Sequence, residues 1–217
     1  FSFQGGVFVQ WLGNTVLYAA TGALGAAALA TTCGYALAKY RFRGRGAVFA
    51  LILGSIMVPL TALAIPSYLL FAAANITDSV WAIILPSFVS PFGVYLMRVY
   101  AAESVDDSLL EAARIDGASS GQILLRVQVP IARPAIMTLV VLVFLWTWNE
   151  FLIPLVMSPS GQMRTAPLGL AFFQGQYSTN TALMGAAAVL VALPVVIVYL
   201  FLQRHFIGGM VEGAIKD

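Results

Sequence analysis

The sequence predicts an all-α bundle of membrane-crossing helices, and three observations predict it. Of 217 residues, 60% are apolar and only 9% are charged, where an ordinary soluble domain carries about 25% charge. Mean hydropathy is +0.91. The charges that do occur are bunched, leaving charge-free runs from Phe1 to Ala38, Ala47 to Thr77, Ser79 to Met97, Pro134 to Asn149 and Thr165 to Gln203. Inside lipid a backbone satisfies its own hydrogen bonds only as a helix or a closed barrel, and a helix needs about 20 apolar residues to cross.

Trimming these runs at breakers and polar clusters predicts spans at residues 14–38, 47–72, 79–99, 132–156 and 182–204. The first is rich in small residues from Ala19 to Gly34, which suits close helix contact in lipid. The second carries Pro59 and Pro66, the third Pro86 and Pro91, and the last Pro194. Each proline removes a backbone donor and tends to kink its helix, either as ordinary membrane packing or as a hinge. The fourth holds Glu150, the one ionisable side chain well inside a predicted span.

Cations orient the chain. Lys39, Arg41, Arg43 and Arg45 crowd the first connection, Arg98, Arg114, Arg126 and Arg133 flank or fill the third, and Arg204 and Lys216 lie at the end. The alternate connections hold only Arg164. The positive-inside rule therefore places residues 39–46, 100–131 and 205–217 in the cytoplasm and residues 73–78 and 157–181 outside. A chain that starts outside, at Phe1, with five spans is expected to lack one leading helix.

The same inventory excludes several classes. A lone Cys33 and a lone His205 build neither a disulfide framework nor a metal cluster. A net charge of +2 is too small to suggest nucleic acid. An intramembrane hydrolase needs paired groups that the spans do not supply, and a proton-coupled carrier needs deep Asp, Lys or His, which are missing. No Gly-x4-Gly-Lys-Ser/Thr string occurs, so ATP is not hydrolysed by this chain.

The longest polar stretch is 100–131. Ser108 stands three residues before Glu111, the capping-box spacing, and predicts a short helix through Leu109, Leu110, Ala112, Ala113 and Ile115. Gly117 to Gly121 interrupts it, and Ser119 with Gln122 predicts a second capped helix that ends before Pro130. Small residues Ala112, Ala113, Gly117 and Ala118 at the bend leave room for another protein's surface to approach. Arg114 and Asp116 are candidates for a solvated pair.

These residues carry a resemblance. Glu111-Ala112-Ala113, Gly117 six positions after the glutamate, and Val127-Gln128-Val129-Pro130 resemble the EAA loop of binding-protein-dependent ABC importer permeases, with Val where that pattern prefers Ile and Leu. Tyr35 to Gly44, Ala113 to Ala118, Trp148-Asn149-Glu150-Phe151 and Gly213 to Lys216 are similar to the carbohydrate-uptake, maltose-type subgroup. The resemblance implies a type I importer permease fold of six spans. It implies that Glu111, Ala112, Ala113, Arg114, Asp116, Gly117, Ala118 and Ser119 contact a nucleotide-binding ATPase subunit, which holds ATP and Mg, so that this chain needs no cofactor of its own. It also implies a second homologous permease as a heterodimer partner, and an extracytoplasmic solute-binding protein. The solute is expected to be a sugar or oligosaccharide, with a glycerol phosphate or other polyol derivative as the alternative.

Candidates for the solute path are fewer. On a continuous helix, Trp146, Asn149 and Glu150 share one stripe at i, i+3 and i+4. That stripe serves either a polyol surface or an interfacial aromatic belt with polar helix contacts. Tyr68 and Asn75 are further candidates. The outer segment 157–181, with Gln162, Arg164, Gln174, Gln176, Tyr177 and Asn180, is either a landing surface for the binding protein or a re-entrant stretch packed on the spans.

Overall fold

The computed structural model describes residues 6–171 and 181–214, with side chains as far as Leu200. Among these residues regular structure is entirely helical: α1 (Val7–Lys39), α2 (Arg45–Ile56), α3 (Leu60–Ala73), α4 (Val80–Phe88), α5 (Pro91–Ser104), α6 (Asp107–Ile115) and α7 (Ser120–Ile123). A π-helical stretch (Leu124–Gln128) follows, then α8 (Val129–Ile131), α9 (Arg133–Trp148), α10 (Leu152–Met157), α11 (Ala166–Ala171) and α12 (Thr181–Ala214). Val7–Lys39, Val80–Ser104 and Thr181–Leu200 are long and apolar enough to cross a membrane. The count reaches five if α2 with α3, and α7 to α8 with α9, each form one bent span.

Two expected spans are not continuous helices. The span expected at 47–72 breaks at Met57–Pro59, where Pro59 takes extended backbone and opens α3, because Pro has no N–H and its ring disfavours helical geometry in the residue before it. By contrast Pro66, Pro86 and Pro194 lie inside helices that continue past them. Pro91 sits in the first turn of α5, where Ser90 Oγ accepts from the Gly93 N–H at 3.1 Å and a missing N–H costs nothing. The span expected at 132–156 stops at Trp148, and α10 begins at Leu152. The first and last helices outrun the predicted limits, since periodicity marks apolar length better than helix ends.

The chain divides into two compact units. One comprises Phe1–Ala23, Pro59–Ser87 and Val143–Leu202, and the other Leu24–Val58, Phe88–Leu142 and Gln203–Asp217. In the first, Phe8 and Trp11 of α1 pack with Ala166, Ala187 and Val191. Gly169 lies so close to the Trp11 ring that a β-carbon would collide with it. Asn14 Nδ2 donates to the carbonyls of Gln162 (2.9 Å) and Arg164 (3.0 Å), and Gln10 Nε2 to that of Gln162 (3.3 Å). The described part of the segment 157–181 is thus packed on α1, one of its two expected uses. Gln174, Gln176, Tyr177 and Asn180 lie outside the described residues.

Thr15 closes this seam. Its buried hydroxyl donates to the Trp11 carbonyl at 2.7 Å and accepts from the Ala166 N–H at 2.8 Å. Thr15→Val keeps the shape but orphans a buried N–H, which costs about 1–3 kcal/mol. Thermal unfolding in detergent is expected to fall measurably, whereas Thr21→Val, whose hydroxyl bonds back only to its own helix, is expected to leave it unchanged.

In the second unit α1 and α5 touch through backbone. A β-carbon at Gly34 would lie 2.7 Å from the Arg98 nitrogen and 2.9 Å from the Met97 carbonyl carbon. The α2 helix lies on α5 through Phe49, which stacks on Tyr95 and receives the Arg98 guanidinium 3.8 Å over its ring, a cation–π contact. None of the twelve residues of α2 is buried, as expected of a helix facing lipid or a partner.

Candidate functional site

The polar stretch after α5 folds into a helical hairpin, built differently at its start from the expectation. Asp106, and not Ser108, caps α6: its Oδ1 accepts from the Ser108 N–H at 2.8 Å. A carboxylate at this position satisfies an orphan donor and complements the positive helix end, so the helix starts one residue before Ser108. The same bond holds the Asp106 carboxyl below its ordinary pKa, so the cap is in place at neutral pH and is lost only on acidification through that lowered value. The Ser108–Glu111 capping box is therefore absent, and the Glu111 side chain stays exposed.

The end of α6 is a complete Schellman motif. The Gly117 N–H donates to the Arg114 carbonyl and the Ala118 N–H to the Ala113 carbonyl, both at 3.0 Å, with Gly117 at φ +82°. Ala113 and Ala118 supply its usual apolar contact, packing on the cluster of Tyr35, Val105, Leu110 and Ile123. A β-carbon at Gly117 would meet nothing, so only backbone conformation demands glycine there. Ser119 and Gln122 form the expected capping box, with Ser119 N–H to Gln122 Oε1 at 2.8 Å and Gln122 N–H to Ser119 Oγ at 3.4 Å.

The second helix does not end before Pro130. It widens into the π-helical stretch, in which the Val129 N–H reaches back to the Leu124 carbonyl, and it continues through Ile131. Pro130 lacks a donor and its ring would strike the carbonyl four residues back; a wider turn relieves both.

One face of the hairpin is locked and the other is open. Lys39, at the end of α1, donates to the Val105 carbonyl (2.6 Å) and pairs with Asp107 (2.7 Å), while Leu110 is buried at 2% exposure. Outward lie Glu111, Ala112, Arg114, Asp116, Gly117 and Ser119. Leu109 and Ile115 are 45% and 86% exposed, so Leu109, Ala112 and Ile115 form an apolar stripe at i, i+3, i+6 beside the Glu111 carboxylate. Arg114 and Asp116 form no ion pair with each other. The Lys39 strut escaped the sequence reading, because Lys39 stands in a cluster with Arg41, Arg43 and Arg45 and nothing local marks it as the cation that reaches Asp107.

The expected solute-path stripe is not assembled. With α9 ending at Trp148, Glu150 folds over the start of α10, where its Oε1 accepts from the N–H groups of Leu152 (3.0 Å) and Ile153 (3.1 Å). Asn149 Nδ2 returns to the Leu145 carbonyl at 2.8 Å. Trp146 is exposed, and Trp148 is buried and stacked on Phe144. Tyr68 lies on α3 and Asn75 in the turn after it at φ 55°. Glu150 is thus a helix cap joined to neither Tyr68 nor Asn75 by any hydrogen bond. A cavity of about 300 Å³ in the second unit, lined by Leu24, Ala27, Thr31, Leu124, Val129 and Val140 among others, is too apolar for a polyol.

Comparison with known proteins places this hairpin in context. The family of binding-protein-dependent transport system inner membrane components matches residues 30–211. The chain belongs to that family. Among curated relatives of the permease, the arabinooligosaccharides transport system permease protein AraQ of Bacillus subtilis (strain 168) is 35% identical over 217 residues, 100% of this chain and 77% of the relative. The trehalose transport system permease protein SugB of Mycobacterium tuberculosis (strain CDC 1551 / Oshkosh) is 30% identical over 218 residues, covering 99% and 79%. A crystal structure of a bacterial ABC transporter involved in the import of the acidic polysaccharide alginate contains a chain that superposes with a TM-score of 0.82 at 28% identity, over 92% of this permease and 75% of that chain. The permease is a membrane-embedded, all-helical component of an ABC importer.

Proposed function

We propose that residues 1–217 form one permease domain of an importer for a sugar or oligosaccharide, and that the 100–131 hairpin docks onto a nucleotide-binding ATPase subunit. The observation that carries this reading is the open face of the hairpin. A short, capped, strut-held element that leaves Leu109, Ala112, Ile115 and Glu111 uncovered is suited to a protein partner, since burying an isoleucine as exposed as Ile115 contributes about 1.5–3 kcal/mol.

In this reading ATP and Mg belong to the ATPase, which lends its closure to the permease through the hairpin. Coupling requires the docked hairpin to make different contacts in the two transport states, because equal affinity for both shifts nothing. A second, homologous permease encloses the path, and an extracytoplasmic binding protein delivers the solute. Residues 39–46, 100–131 and 205–217 face the cytoplasm and 73–78 and 157–181 the outside, supported by the distribution of Lys and Arg. The carbohydrates named for the relatives favour a sugar over a glycerol phosphate or other polyol derivative.

Reconstitution of the whole complex in proteoliposomes tests the proposal. Labelled arabinooligosaccharide or trehalose, offered with the cognate binding protein, is expected to accumulate only with ATP on the ATPase side. Accumulation driven by an ion gradient without ATP would replace this reading with a secondary carrier.

A further inference from the structure

The connection between α1 and α2 holds a feature that the transport reading does not use. Its two ends are tied down: Tyr40 packs edge-on against Tyr35, and Arg45 Nη1 donates to the Tyr40 carbonyl at 3.4 Å. Gly44, at φ +86°, turns the chain directly into α2, with the Val48 N–H on the Gly44 carbonyl at 2.9 Å. Between these fixed ends Arg41, Phe42 and Arg43 are pushed outward. Both guanidiniums are exposed and make no hydrogen bond or ion pair among the described residues. Phe42 between them is 45% exposed.

The loop's depth follows from its neighbours. It follows the apolar run of α1 and opens α2, whose Val48 and Leu51 are 41% and 74% exposed, so it lies where hydrocarbon gives way to headgroups. There an exposed phenyl ring enters the acyl boundary while flanking cations stay at phosphate level. Guanidiniums bind phosphate bidentately. Asp107 of the hairpin is engaged by Lys39 and pairs with neither Arg41 nor Arg43.

We propose that Arg41, Phe42 and Arg43 form a binding site for the headgroup of an anionic glycerophospholipid. The site is separate from the open face of the hairpin and independent of the coupling reading. It adjoins the hairpin because Tyr40, which anchors the loop, follows Lys39, which carries the strut to Asp107.

The test uses the complete permease–ATPase complex in phosphatidylcholine vesicles containing a trace of photoreactive phosphatidylglycerol, or of photoreactive phosphatidylcholine, with cross-links mapped by mass spectrometry. Residues 39–45 are expected to be labelled by the anionic probe and weakly by the zwitterionic one. By removing both charge-assisted phosphate contacts, Arg41→Gln with Arg43→Gln is expected to lower that labelling at least about tenfold. The Arg41→Lys, Arg43→Lys pair is expected to restore most of it, and ATPase association is expected to be unchanged in both. Equal labelling of the glutamine pair, or equal labelling by the two probes, would overturn the proposal. So would cross-linking of the loop to an ATPase subunit in place of lipid, or full displacement of the probe by soluble glycerol phosphate.

Discussion

A permease carrying Glu111→Lys together with Gly117→Ala is expected to insert in the membrane, melt near the wild-type temperature, and yet fail to hold its ATPase and to transport. The two changes act on different links. Glu111 is exposed and bonds to nothing in its own helix, so reversing its charge alters only what a partner meets. Gly117 stands at φ +82° with open space around it, so alanine costs only the left-handed backbone penalty of about 1–2 kcal/mol. That penalty works against the Schellman turn and the presentation of Leu109, Ala112 and Ile115. Affinity for the purified ATPase, measured by pull-down titration or surface plasmon resonance, is expected to fall at least about tenfold. Gly117→Asn is expected to recover much of the backbone share, because Asn tolerates the left-handed region. Unchanged ATPase affinity and unchanged uptake in the double variant would remove the hairpin from the coupling mechanism.

The second large effect is expected at Gly34. Helix propensity alone says that Gly34→Ala stabilises α1 by about 0.5–1 kcal/mol. Packing says the reverse, because the new carbon would lie 2.7 Å from a backbone nitrogen and 2.9 Å from a backbone carbon of α5. A flexible side chain swings aside, but a helix backbone shifts only with everything attached to it. Overpacking of this kind costs about 1–3 kcal/mol or more, so packing wins. Gly34→Ala is expected to lower thermal stability, and Gly34→Leu to prevent recovery of folded permease. Gly54→Ala is the control: it lies in α2 with nothing within 4 Å and is expected to be neutral or slightly stabilising. A stabilised Gly34→Ala would mean that α1 and α5 do not approach this closely. The consequence is functional as well, since α5 leads directly into the hairpin and Lys39, one turn beyond Gly34, braces it.

Legibility in the sequence follows the range of the interaction. The Ser119–Gln122 capping box and the interruption of the first hairpin helix at Gly117 are local, set within a few residues, and they read correctly. The cap of α6 did not, because Asp106 and Ser108 both suit an N-cap and only the geometry of the chain leaving α5 chooses between them. Glu150 shows a related limit: expected inside a continuous span, it instead follows a break after Trp148, and its carboxylate accepts from the first N–H groups of the next helix. A proline count marks possible breaks without saying which will open: Pro59 breaks its span and Pro66, seven residues on, does not.

By itself the sequence determined that this protein is a bundle of lipid-embedded helices with a charged hairpin between two of them. Hydropathy and charge are properties of single residues summed over a window, and lipid enforces them without regard to partners in the fold. Tertiary structure alone decided which side of the hairpin is locked by Leu110 and the Lys39–Asp107 strut, and that Gly34 is a contact with backbone. It also decided that Arg41, Phe42 and Arg43 are thrust outward between tied ends. The strut and the Gly34 contact depend on groups meeting across tens of residues, and no local pattern of apolar and polar positions records such a meeting.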